Sequence, residues 1–255
     1  MEQKEKGVNL YAKILACALI FALGSHVLPA CAASGDHVVI CDKTIALSAK
    51  EVSLSKKTVT DGDALALTRL PNLTELFFDQ CDLSGLSAPF ALPGVQVLTV
   101  FAEEVDLAPF SGLTGLKKLT ARSHVSDLRP LANCTQLEWL DLKWNDIVDV
   151  SPLAELVQLI HLDLFSNQIA DIAPLSGMTK LIHLHLDRNQ ISDLEPLKKM
   201  KSLIELSLAD NRIANPRPLA ALESLTWLAL DNNPVSPEAV TNLQRTLTRL
   251  KKLSY

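Results

Sequence analysis

The chain has 255 residues, 48% of them hydrophobic, and a formal net charge of −5. A core is easily built from that, one elongated domain is the natural count, and the mild acidity leaves no basic footprint for nucleic acid. With five cysteines and nine glycines, the composition fits neither a disulfide-dense scaffold nor a long flexible linker.

The N-terminus reads as a targeting segment over residues 1–33. Lys4, Lys6 and Lys13 precede an uncharged stretch from Ile14 to Gly35 that ends in small residues. Two processing sites compete. Leu28-Pro29-Ala30-Cys31 resembles a bacterial lipobox whose cysteine would be lipidated, although Pro29 suits its position poorly. Ala30-Cys31-Ala32 is an ordinary small-x-small cleavage site. An uncleaved anchor is the third option, since about 20 apolar residues span a bilayer. The expectation is export to the periplasm, cell surface or medium, with membrane contact only through this segment or a lipid on Cys31.

Residues 34–72 are expected to cap the fold, hiding an open core end and an unpaired strand edge. His37-Val38-Val39-Ile40 looks like a short strand and Asp61 to Leu70 like a helix. Cys41 has no evident place; a bond to Cys81 cannot be deduced from spacing.

Residues 73–233 repeat, with about eight strands expected. From Leu137 the chain reads L-E-W-L-D-L-K-W-N-D-I-V-D-V-S-P-L, and the pattern returns at Leu159, Leu181 and Leu203. Asn145, Asn167, Asn189, Asn211 and Asn233 recur every 22 residues, in step with Pro152, Pro174, Pro196 and Pro218. The units beginning at Val95 and Leu116 are one residue short, and Cys81 stands where later units have asparagine. Such a unit cannot bury its apolar face alone, so stacking is obligatory. Within it, Leu184 and Leu186 alternate with polar residues as in a strand with one buried face. Asn189 can both donate and accept where the chain turns inward, and Pro196 pre-sets a short helical or 3₁₀ piece on the convex side. Residues 234–255 should form a C-terminal helical cap, with Val240, Leu243, Leu247 and Leu250 on one face of a helix from Pro237 to Leu253.

The predicted fold class is an α/β solenoid: a leucine-rich repeat horseshoe with a parallel concave β-sheet and a convex side of 3₁₀ or short helices, capped at both ends. The frame N-x-I-x-D-I-x-P-L-x-x-L-x-x-L-x-x-L-x-L, as in Asn167 to Leu186, resembles the 22-residue repeat of bacterial internalins. It is similar also to the intracellular regulatory subunit of protein phosphatase 1. The internalin resemblance implies binding of host or surface proteins through the concave face. The chain departs from that family in having no visible cell-wall anchor and no immunoglobulin-like domain after the repeats.

No nucleophile elbow, phosphate loop, dinucleotide fingerprint or H-E-x-x-H occurs, so the chain is read as non-enzymatic with no cofactor. The informative positions are those between the strand leucines, which point out of the concave face. The partner-binding candidates are Phe77, Phe101, Arg122, Trp139, Asp141, Lys143, Trp144, His161, Asp163, Phe165, His183, His185, Asp187, Arg188 and Trp227. All three tryptophans of the chain fall in this set, and tryptophan and arginine clustered on one face mark binding surfaces more often than chance exposure does. The expected partner is a protein; sugar stacking on the aromatic rings is the alternative. His161, Asp163, His183 and His185 also form a two-by-two patch, since strands lie about 4.8 Å apart and alternate residues about 6.6 Å apart. Its two readings are a transition-metal site and a polar patch that tolerates histidine.

Export is expected to depend on Ile14 to Ala33, and N-terminal sequencing should find a soluble mature form that begins near Ala33. Palmitate incorporation that Cys31→Ser abolishes would establish a lipoprotein instead.

Overall fold

The computed structural model describes residues 36–122 and 124–255. The expected signal segment and Cys31 lie outside the described residues. A ten-stranded, all-parallel sheet lines one side of the fold, in the chain order β3 (Glu51–Ser55), β5 (Glu75–Asp79), β7 (Val97–Phe101), β8 (Lys118–Arg122), β9 (Trp139–Asp141), β10 (His161–Asp163), β11 (His183–His185), β12 (Glu205–Ser207), β13 (Trp227–Ala229) and β14 (Lys252–Ser254). Strands pair in simple register, so Leu140, Leu162, Leu184, Leu206 and Leu228 stack as one buried row. The returns run through six 3₁₀ turns among the described residues, from Ala108–Phe110 to Arg217–Ala221. Each has its proline at the first or second position, where a missing N–H costs nothing. Before each, an aspartate or Asn215 accepts the backbone N–H two residues on, as Asp193 does from Glu195 at 2.9 Å.

Asparagines tie the units together. Asn189 Nδ2 donates to the carbonyls of Leu164 and Leu186, both at 3.0 Å, and Asn189 Oδ1 accepts the N–H of Ile169 at 3.0 Å. Asn167, Asn211 and Asn233 repeat this pattern. Each amide therefore satisfies two carbonyls and one N–H that bend into the core. In the residue before each asparagine the chain is left-handed: φ is 58° at Trp144, 56° at Ser166, 53° at Arg188, 54° at Asp210 and 57° at Asn232. Cys81 takes the ladder place in its unit, buried with Sγ 3.3 Å from the Leu54 carbonyl. The short units lack the asparagine. There His124 takes the left-handed place itself, with φ 59°, and turns outward to Asp146 at 2.7 Å.

At the N-terminal end, β1 (His37–Ile40) and β2 (Lys43–Ala46) form an antiparallel hairpin. Lys43 Nζ reaches from it to the Ser53 carbonyl of β3 at 2.9 Å. β4 (Thr58–Thr60) pairs with β6 (Asp82–Gly85), and α1 (Asp61–Leu67) follows, opened by a capping box between Thr60 and Asp63. Asp63 also accepts the N–H of Cys41 at 2.7 Å, pinning the hairpin turn to the helix. Cys41, Cys81 and Cys134 are free thiols.

Two differences from the sequence reading concern the sheet's ends. The eight repeat strands are joined by β3, which was placed in the cap, and by β14. The C-terminal helix α2 (Pro237–Thr246) stops at Thr246 instead of running to Leu253, and Leu253 pairs beside Leu228. The cause is a ninth repeat of the pattern: Leu247-x-x-Leu250-x-x-Leu253 restates Leu222-x-x-Leu225-x-x-Leu228. Strand pairing satisfies β13's open edge, which a helix would leave bare.

Asn189→Leu would strand the Leu164 and Leu186 carbonyls and the Ile169 N–H, at roughly 1–3 kcal/mol for each buried group. Urea denaturation should show a clear fall in midpoint; an unmoved midpoint would refute this role for the ladder.

Candidate functional site

The concave face is built from the residues that alternate with the buried leucines, and its three levels were not separable in the sequence. The floor is acidic. Asp141, Asp163 and Asp187 are buried, and their carboxylates are held from within. Asp163 Oδ1 accepts the Phe165 N–H at 3.0 Å and Asp187 Oδ1 the Ala209 N–H at 2.9 Å, with the Ser207 hydroxyl also on Asp187. They support the face from beneath, a depth that the sequence did not reveal. Side chains from neighbouring strands cover them.

Above them lies a charged layer. Arg122 Nη2 donates to Asp141 Oδ2 at 2.8 Å, and Lys143 Nζ sits 3.4 Å from both Asp141 and Asp163. Farther along, Glu205 receives His183 Nδ1 at 2.9 Å and lies 3.5 Å from His185 Nε2.

The outer layer is aromatic, with cations laid across the rings. Arg122 stands 5.3 Å from the Phe101 ring centre and 5.1 Å from that of Trp144; Lys143 is 5.6 Å from Trp144, Arg188 5.3 Å from Phe165, Lys118 5.1 Å from Trp139 and Lys252 5.8 Å from Trp227. These are cation–π distances. Trp144 meets Phe165 edge-on at 6.0 Å, and Phe77 meets Phe101 likewise at 5.9 Å. Trp139 is 40% exposed and Trp144 55%, whereas Phe77, Phe101, Phe165 and Trp227 are half-buried.

The two-by-two patch is present but does not converge. His161 lies flat on Trp139 with ring centres 3.6 Å apart, and His183 turns to Glu205. Among the described residues no group of three or more histidine, cysteine or acidic side chains is placed to hold a metal ion. Stacking and ion pairing have claimed these rings.

The family model for leucine-rich repeats in two copies matches residues 157–199. Internalin C2 of Listeria monocytogenes is 26% identical, with a TM-score of 0.62 over 84% of this chain and 85% of that one. Another Listeria monocytogenes internalin, InlF, is 20% identical, with a TM-score of 0.61 over 84% of this chain and 90% of its own. The functional domain of a third, InlJ, which includes a cysteine ladder, gives 20% and 0.64 over 80% of this chain and 43% of that one. No curated protein matches the chain in sequence. The chain has a leucine-rich repeat fold that resembles those of the internalins.

In this internalin-like chain the fold is a protein-interaction scaffold, and the residues that complete its face include two that were not singled out. Lys118 and Glu205 share the strand position of Trp139, His161 and His183. That shared position was the signal available for finding them.

Burial pushes the His161 imidazole down from 6.5 to about 4, with the neighbouring His185 adding to the shift. The unfolded chain thus binds a proton that the folded chain refuses between pH 6.5 and about 4, so stability falls as pH drops through that window. The His161 imidazole should titrate with a midpoint near 4 by NMR, moving upward in Trp139→Ala. A midpoint near 6.5 in the wild type would show an open, solvated ring.

Proposed function

We infer that the chain is a non-catalytic protein-binding module, acting at the cell envelope or outside the cell through the concave face. Trp144 carries the reading. Left-handed backbone costs an ordinary residue roughly 1–2 kcal/mol and suits asparagine and aspartate best. Asp210 and Asn232 fill the equivalent places in later units. Trp144 is a poor choice for that turn and adds nothing to the core, being more than half exposed. A bulky aromatic at such a position is supported by what it does outside the fold.

The remaining features agree. Eight repeat strands at about 4.8 Å make a strip of roughly 35–40 Å, enough for a standard protein interface. Rigid aromatics beside arginine are the usual composition of a hot spot. Sugar stacking is less favoured, because His161 and cations already occupy ring faces of Trp139 and Trp144. The basic, then apolar, then small-residue N-terminus supports export.

Partner protein captured by the wild type should bind Trp139→Ala and Trp144→Ala at least about tenfold more weakly, with circular dichroism unchanged. Trp144→Asn, which restores a residue suited to the turn, should weaken binding equally while melting no lower. Lys198→Ala, on the convex side, should have no effect. Convex variants that weaken binding beside tryptophan variants that bind normally would overturn the assignment.

A further inference from the structure

The charged groups of the concave face are sorted by depth, and this decides which sign a partner meets. Around the exposed tryptophans, the carboxylates are at the bottom: the side chains of Asp141 and Asp163 are 10% and 9% exposed. The cations ride above them. Arg122 and Lys143 keep 29% and 24% of their side chains accessible, and Lys118 is exposed beside Trp139. Among the described residues the Arg122 guanidinium donates to Asp141 alone, and its Nε is buried without a partner. Phe101 and Trp144 hold the guanidinium in place. Its planar fork is therefore pre-oriented, and ordering it for a second carboxylate costs little further side-chain entropy.

We propose that the stretch from Phe101 to Phe165 receives an acidic segment of a protein partner, with carboxylates meeting Lys118, Arg122 and Lys143 and apolar side chains packing between them on Trp139 and Trp144. This rests on the concave-face reading above and specifies the partner's chemistry. A protein segment fits better than a sulfated glycan or other polyanion. On its concave positions, Lys118, Arg122 and Lys143 against Asp141 and Asp163 leave a net charge of only +1, on a chain whose total is −5. Polyanion affinity comes from many uncompensated cations. Here discrete charges alternate with exposed rings, which matches a chain of alternating acidic and apolar residues. Toward the C-terminal end accessible carboxylates join the cations, Asp210 at 40% exposure beside Arg188 at 62%. Glu205 and Asp210 stand on the accessible side, so a partner's acidic segment is also steered away from there.

Because all three tryptophans lie on this face, intrinsic tryptophan fluorescence of the purified protein reads the face and nothing else. Three probes are titrated at low salt: a peptide of repeating Glu-Leu-Gly, its Lys-Leu-Gly counterpart, and heparin. The Glu peptide alone is expected to shift the emission saturably, and the shift should weaken at physiological salt. Lys118→Glu should lower that affinity about tenfold, as the replacement of an attraction by a like charge demands. Lys198→Glu should leave it unchanged. Preference for the Lys peptide, tighter binding of heparin, equal effects of the two variants, or no response to the Glu peptide would each overturn the proposal. Partner capture that depends on the tryptophans but not on Lys118 would sink this inference while leaving the concave-face assignment standing.

Discussion

The fold depends on how backbone groups are satisfied where each unit turns from the sheet into the core. A coil of this kind must bend its chain inward once per turn, which buries N–H and C=O groups that no ladder of strands can serve. The asparagine amide solves this with one side chain, donating to a carbonyl in its own unit and one in the unit before, and accepting an N–H. Because the bonds cross between units, each asparagine is also a clamp on the stack. Solenoid stability is a sum of unit and neighbour terms, so a repeated clamp adds at every interface.

The clamp then dictates what the concave face can display. Where asparagine is present, the strand ends after three residues and the preceding residue goes left-handed. That swings one side chain per unit out of the sheet's plane. Trp144 and Arg188 are displayed in this way, beside the Trp139, His161 and His183 row of the strands proper. The inward-turned carboxylates belong to the same scheme. Asp163 and Asp187 accept backbone N–H groups at strand ends, and the cations paired with Asp141 and Asp163 are spread over neighbouring rings.

Most of the architecture was legible because each unit repeats one solution, and a leucine every second or third position states which side is buried. The row of eight strands, the asparagine places and the proline turns follow from spacing alone. What escaped were features without a periodic signature. The final strand was hidden because Val240, Leu243 and Leu247 do lie on one helical face, and the same leucine spacing continues past the helix as a repeat. The first strand, Glu-Val-Ser-Leu-Ser, has no asparagine after it and so lacks the marker that dates the units from Leu137 onward. The depth of Asp141 and Asp163 was invisible for a different reason. Strand alternation says that these residues point outward, yet it cannot say that Arg122 and Lys143 from neighbouring turns will fold down over them.

The change from units without the asparagine to units with it explains why the exposed tryptophans, Arg122 and Lys143 gather at one place. Without an asparagine, β7 and β8 keep pairing for five residues, and the fifth pair is Phe101 with Arg122. In the next unit the asparagine returns, so β9 stops at Asp141 and the left-handed turn projects Trp144. Arg122 therefore stands at the end of a long strand facing a short one. From there its guanidinium reaches Asp141 on one side and the rings of Phe101 and Trp144 on the others. An array with asparagine in every unit would offer no such junction, because every strand would end level with its neighbour. The return of the asparagine thus makes a step in the sheet, and the step is where the cation, the buried carboxylate and the exposed aromatics meet.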